Sequence, residues 1–140
     1  MVENVWILVD DAEKEIECLS PEELAKEIDA GTAIALDIRD TRDRIRQGAI
    51  SGSLHAPRGM LEFLIDPNSG YHDKIFEPSN RYILYCGLGG QSALAAKTMR
   101  EMGYHNVGHL EEGLIGWERA GKPIETLSLE ALETKKIPSQ

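Results

Sequence analysis

The segment from Tyr82 to Lys97 constrains the fold most. A short apolar run, Tyr82 to Tyr85, meets the loop Cys86-Gly87-Leu88-Gly89-Gly90-Gln91-Ser92, and a strong helix former, Ala93 to Lys97, follows at once. A strand that turns into a helix through so few residues is the repeating unit of an open α/β sheet. The rest of the chain agrees. Ser20-Pro21-Glu22-Glu23 is a capping box with proline at the first helical position, and Gly31 closes the helix it starts. Thr32 to Ile38 is then a continuous apolar run, the pattern of a strand covered on both faces. A charged segment from Asp40 to Gln47 predicts a short surface helix stopped by Gly48, followed by a brief strand, Ser53 to His55, that Pro57 ends. Gly59 to Ile65 predicts another short helix. Ser92 to Met102 predicts a longer one with Leu94, Thr98 and Met102 on one face, and Asn106 to Leu110 a strand before a last helix over Leu114 to Ala120.

Strands therefore alternate with helices, and right-handed crossovers place helices on both faces of a mainly parallel sheet. At 140 residues one domain is expected, able to bury roughly two-thirds of its unfolded surface without disulfides or metals. Residues 16–125 form that domain, residues 1–15 a leader with a short helix, and residues 126–140 a polar tail. No apolar stretch has the length of a membrane span, and the N-terminal residues lack the basic region of a signal peptide, which together predict a cytoplasmic protein. A formal net charge of −9 argues against nucleic acid and leaves any anion site dependent on local donors.

The loop after Cys86 has the chemistry of such a site. Three of its first four residues are glycine, so the backbone can take positive φ angles and turn successive N–H groups toward one point. The helix start near Ser92 adds free N–H groups and the positive end of a dipole. Both stabilise a thiolate, the nucleophilic form of cysteine. Cys18 lies in an edge-strand sequence, Ile16 to Leu19, with nothing nearby to activate it, and is assigned to packing. The two cysteines have no metal-ligand spacing.

The chain resembles the rhodanese family of sulfurtransferases, whose active-site loop reads Cys-x-x-Gly-x-Arg between a parallel strand and a helix. Cys86, Gly89 and Ser92 fit that loop, and the likeness extends through Leu36 to Asp40, Gly48 to Phe63, Met102 to Val107, and Glu112 to Trp117 with Gly121 to Pro123. The resemblance implies a three-layer fold with a central, mainly parallel sheet of about five strands. It also implies transfer of sulfane sulfur, from thiosulfate or a persulfide donor to a thiol acceptor that can be a protein, through a persulfide on Cys86. Gly87, Leu88, Gly89, Gly90, Gln91 and Ser92 would hold the sulfur anion, with no metal and no cofactor. The chain departs from the family where Gln91 stands in place of the usual Arg, because a neutral amide donates weaker hydrogen bonds than a guanidinium. Arg58 is the candidate for a compensating charge, with a carboxylate-paired surface Arg as the alternative. Asp37 and Arg39 either face the site or pair beneath the loop. None of His55, His72, His105 and His109 has a motif that makes it a base. Two other functions stay open: a phosphatase, which would need Arg where Ser92 stands, and a weakly catalytic persulfide carrier or oxidant sensor.

Overall fold

A computed structural model describes residues 1–130 of the chain; the last ten residues of the predicted tail lie outside the described residues. The elements in chain order are α1 (Val5–Glu13), β1 (Glu17–Leu19), α2 (Pro21–Ala30), β2 (Ile34–Asp37), α3 (Thr41–Gln47), β3 (Ala49–Ile50), β4 (Leu54–His55), α4 (Leu61–Ile65), β5 (Tyr82–Tyr85), α5 (Gly90–Glu101), β6 (Val107–Leu110), α6 (Gly113–Arg119) and β7 (Ile124–Glu125). One 3₁₀ turn, Arg58–Met60, leads into α4.

Five strands form a parallel sheet in the order β1-β6-β5-β2-β4, so β5, which carries Cys86 at its carboxyl end, is central. Its neighbours are fixed in register by Ile34 opposite Tyr82 on β2 and Val107 opposite Tyr82 on β6. Side chains alternate across the pleat. Tyr82 and Leu84 enter a core with Leu61 and Ile65 of α4 and Ala95, Ala96 and Met99 of α5. Ile83 and Tyr85 enter the opposite core, with Leu24 of α2 and Leu114 and Trp117 of α6. Helices thus cover both faces, as the apolar strand patterns require. Cys18 lies on the edge strand β1, as its sequence context implies.

The local signals explain the boundaries. Ser20 Oγ accepts the Glu23 N–H at 3.2 Å while Glu23 Oε1 accepts the Ser20 N–H at 2.9 Å, and Gly31 ends α2 with φ 72°. Three features depart from the sequence reading. A second, antiparallel sheet pairs β3 with β7, two residues each, through Ala49 opposite Glu125. The helix α3 is not wholly a surface element, since Arg44 turns inward to Asp37. The buried face of α5 is Ser92, Ala93, Ala95, Ala96 and Met99, whereas Met102 is exposed. Alanine lets α5 lie close to the sheet on one side and to α1 on the other, where Val9 and Ala12 pack against Ala93.

Candidate functional site

Cys86 follows β5 directly and is buried, with its Sγ accepting the Gly89 N–H at 3.1 Å and lying 3.5 Å from Ser92 Oγ. Only Gly89 of the loop glycines has a positive φ, 108°, and a Cβ there would overlap the Glu111 carbonyl oxygen. Glycine is obligatory at that one position; Gly87 has open space around it. Two backbone bonds tether the loop from behind, Leu114 N–H to the Cys86 carbonyl at 2.9 Å and Ile115 N–H to the Gly87 carbonyl at 3.2 Å. These are the first-turn donors of α6, which have no partner inside their own helix. Gly113 permits the approach, because a Cβ on it would lie 2.5 Å from the Gly87 carbonyl oxygen.

A cavity of about 350 Å³ opens over the thiol. Its walls are Cys86, Gly87, Leu88, Gly90 and Gln91 of the loop and helix start, Arg39, Asp43 and Gln47 from the far side, and Trp6 of α1. The predicted loop residues therefore gather around the cysteine, with Gly89 and Ser92 just behind the surface. Arg58 is not among the lining residues, and its guanidinium pairs one helical turn away with Glu62 at 2.8 Å. Arg39 is the arginine among the lining residues.

Arg39 is both a structural partner and a pocket wall. Its guanidinium binds Asp37 through Nε at 3.0 Å and through a terminal nitrogen at 2.8 Å, and it also donates to Gln47 and to the Gly48 carbonyl. Arg44 reaches the same carboxylate at 2.9 Å. Burial alone would push the Asp37 carboxyl up, but the hydrogen bonds and charge of Arg39, with Arg44 behind it, hold it below the usual carboxylate range. Two guanidinium groups thus converge on one buried carboxylate next to the cavity, which Asp43 also lines.

One residue in contact with the cysteine loop was not legible in the chain. His109 is fully buried in β6, with Nδ1 at 2.9 Å from Ser92 Oγ and Nε2 at 2.9 Å from Glu13 Oε2 of α1. Burial, working against Glu13 and Glu111, holds this imidazole below its ordinary range. The available signal was a polar residue in a strand otherwise reading as buried, but its neighbours depend on strand order. The other three histidines are absent from the lining of the cavity. Cys18 sits on the outer side of this cluster, where burial first, then Glu13 and Glu111, push its thiol up to about 11.

A parallel α/β sheet with a cysteine loop at the carboxyl end of its central strand defines a class of thiol-centred anion sites. Comparison with known proteins makes the class specific. The Rhodanese-like domain matches residues 20–120, and the chain belongs to that family. It is 30% identical over 108 residues to a thiosulfate sulfurtransferase of Actinobacillus succinogenes, which covers 77% of this chain and 89% of the relative. Among solved structures, a Rhodopseudomonas palustris protein of unknown function, described as a possible tyrosine phosphatase, is 40% identical with a TM-score of 0.85, covering 89% of this chain and 96% of that one. The polysulfide-sulfur transferase homodimer of Wolinella succinogenes is 27% identical with a TM-score of 0.69, and 88% of each chain is covered. The family relationship supports a sulfurtransferase-type role.

Proposed function

We propose that the protein moves sulfane sulfur from thiosulfate or a persulfide donor to a thiol acceptor through a persulfide on Cys86. The Cys86 thiolate attacks the outer sulfur of the donor; with thiosulfate the S–S bond breaks and sulfite leaves with the bonding pair. An acceptor thiolate then attacks the terminal sulfur of the persulfide, and the Cys86 thiolate is regenerated. The observation that carries this reading is the seat of Sγ. It accepts the Gly89 N–H beneath a cavity whose wall includes Arg39, so negative charge on the sulfur has a donor in contact and a cationic residue in the surrounding wall. The residues proposed to contact the sulfur anion are Gly87, Leu88, Gly90 and Gln91, with Gly89 and Ser92 supporting the thiolate.

A phosphatase is disfavoured by Ser92. A Cys-x5-Arg loop needs a guanidinium at that position, whereas this buried hydroxyl turns inward to Cys86 and His109. Gln91 favours a persulfide carrier as the second reading, since thiosulfate would meet an amide where a cation is usual. Incubation with thiosulfate, followed by sulfite measurement and intact mass, tests the proposal. The expected result is sulfite release with a gain of one sulfur in mass, both lost in Cys86→Ser. If wild type gives neither, thiosulfate is not the donor, and a persulfide donor in the same mass assay decides for or against the carrier.

A further inference from the structure

Four groups run in one unbroken line from the thiol to the N-terminal helix: Cys86 Sγ, Ser92 Oγ at 3.5 Å, His109 Nδ1 at 2.9 Å from that oxygen, and Glu13 Oε2 at 2.9 Å from Nε2. Cys86, Ser92 and His109 are buried, so water does not compete along most of the line. Nε2 faces the Glu13 carboxylate, so the neutral imidazole carries its proton there and Nδ1 is an acceptor. The single Ser92 hydroxyl proton can go to the Gly89 carbonyl at 3.1 Å or to Nδ1 at 2.9 Å, and only the second leaves no two lone pairs facing each other. Nε2–H then donates to Glu13, the thiol proton points at Ser92 Oγ, and every donor in the line has an acceptor.

We propose that His109, seated by Glu13, is the base that takes the Cys86 proton through the Ser92 hydroxyl. The thiol proton passes to Ser92 Oγ as the hydroxyl proton passes to Nδ1. The S–H and the original O–H bonds break, new O–H and N–H bonds form, and the products are a thiolate and an imidazolium. No heavy atom has to move, and the net charge of the line stays at one negative unit. In the product the Ser92 hydroxyl donates to the thiolate and Glu13 faces the imidazolium. Because Gln91 brings no charge to the mouth of the cavity, the imidazolium supplies a cation from the inner side. Glu13 lies outside the span matched to the family, residues 20–120, so this part of the relay belongs to the N-terminal helix. His109 and Glu13 act through Ser92 and position charge; they do not touch the sulfur donor.

Other groups face the line and enter any pH dependence. Glu111 acts on His109 and Cys18 from the loop after β6, Cys18 approaches Glu13 from β1, and Arg39 and Asp43 line the cavity over Cys86. Glu13, Cys18 and His109 also bring possible ligand atoms within 4.8 Å of one another. The imidazole and the carboxylate already satisfy each other, so hydrogen bonding accounts for that cluster.

The relay rests on Cys86 being the reacting thiol but not on thiosulfate as donor, so its test uses alkylation. The rate of iodoacetamide addition to Cys86 is followed by peptide mass from pH 5 to 9 in the full chain, with an added cysteine-containing peptide as the reference. His109→Asn keeps an N–H toward Ser92 without a base, and Glu13→Gln keeps an acceptor for Nε2–H without the charge. At pH 7 the first should slow alkylation about tenfold and the second about threefold, each by moving the profile to higher pH. In wild type, ¹⁵N signals of the His109 ring should titrate at lower pH once Cys86 is alkylated, because the imidazolium has lost its thiolate partner. A uniform fall in rate with an unmoved profile in Glu13→Gln, or a His109 titration indifferent to alkylation of Cys86, would overturn the relay. Either result leaves the sulfur-transfer reading to its own assay.

Discussion

Replacing Asp37 by asparagine changes one atom type at the point where two buried guanidinium groups converge. Its two oxygens accept four N–H groups: the Arg39 backbone at 2.9 Å, Arg39 Nε at 3.0 Å and a terminal nitrogen at 2.8 Å, and Arg44 at 2.9 Å. The side chains of Arg39 and Arg44 are only 4% and 5% exposed, so neither charge can turn to water. Asparagine keeps one acceptor, aims an amide N–H₂ at a guanidinium, and leaves two positive charges uncompensated. Removing one partner of a buried ion pair costs about 3–5 kcal/mol. With a urea m-value of about 2 kcal/mol/M, the unfolding midpoint should fall by roughly 1.5–2.5 M. The pH dependence provides a second check. Because the native Asp37 carboxyl is held below its unfolded value of about 3.9, its contribution is complete above about pH 4 and is lost as the pH falls through the lower native value. The gap between wild type and Asp37→Asn should therefore be constant at neutral pH and close only in strong acid. A loss below about 1 kcal/mol at pH 7 would refute the view that this carboxylate holds the corner together.

Two other outcomes follow from the site. Gln91→Arg should raise kcat/KM for thiosulfate about fivefold to tenfold, the worth of exchanging a neutral donor for a charged one; steady-state sulfite release checks this, and no gain would mean that Arg39 and the backbone donors already suffice. Gly89→Ala should lower stability by at least about 1–3 kcal/mol in urea unfolding, since φ is 108° and the methyl meets the Glu111 carbonyl. It should also slow alkylation of Cys86 by displacing the N–H that Sγ accepts.

How much of this was legible in the chain depends on the range of the interaction. Ser20, Glu23 and Gly31 act within one helix, and the structure realises the cap and the stop as written. The cysteine loop was also local, because strand, glycines and helix start are contiguous. What was hidden crosses long stretches of sequence. His109 meets Glu13 only because β6 packs beside β5 and α1 lies on α5, 96 residues apart in the chain. Arg44 looked like a surface charge until its long side chain reached Asp37. Arg58 pairs with Glu62, a carboxylate at helical spacing, which is the carboxylate-paired alternative stated for it. The β3–β7 ribbon is two residues wide and joins distant segments, too short for any periodicity to show.

The bonds from α6 to the Cys86 and Gly87 carbonyls bear on ligand entropy. Across a trans peptide the carbonyl and the next N–H point in opposite directions. Tying those two oxygens to α6 therefore turns the Gly87 and Leu88 N–H groups away from it. The dipoles are set while the chain folds rather than when a guest arrives. A sulfur anion entering such a cradle orders little backbone on arrival, so less of its binding energy is consumed in freezing the loop.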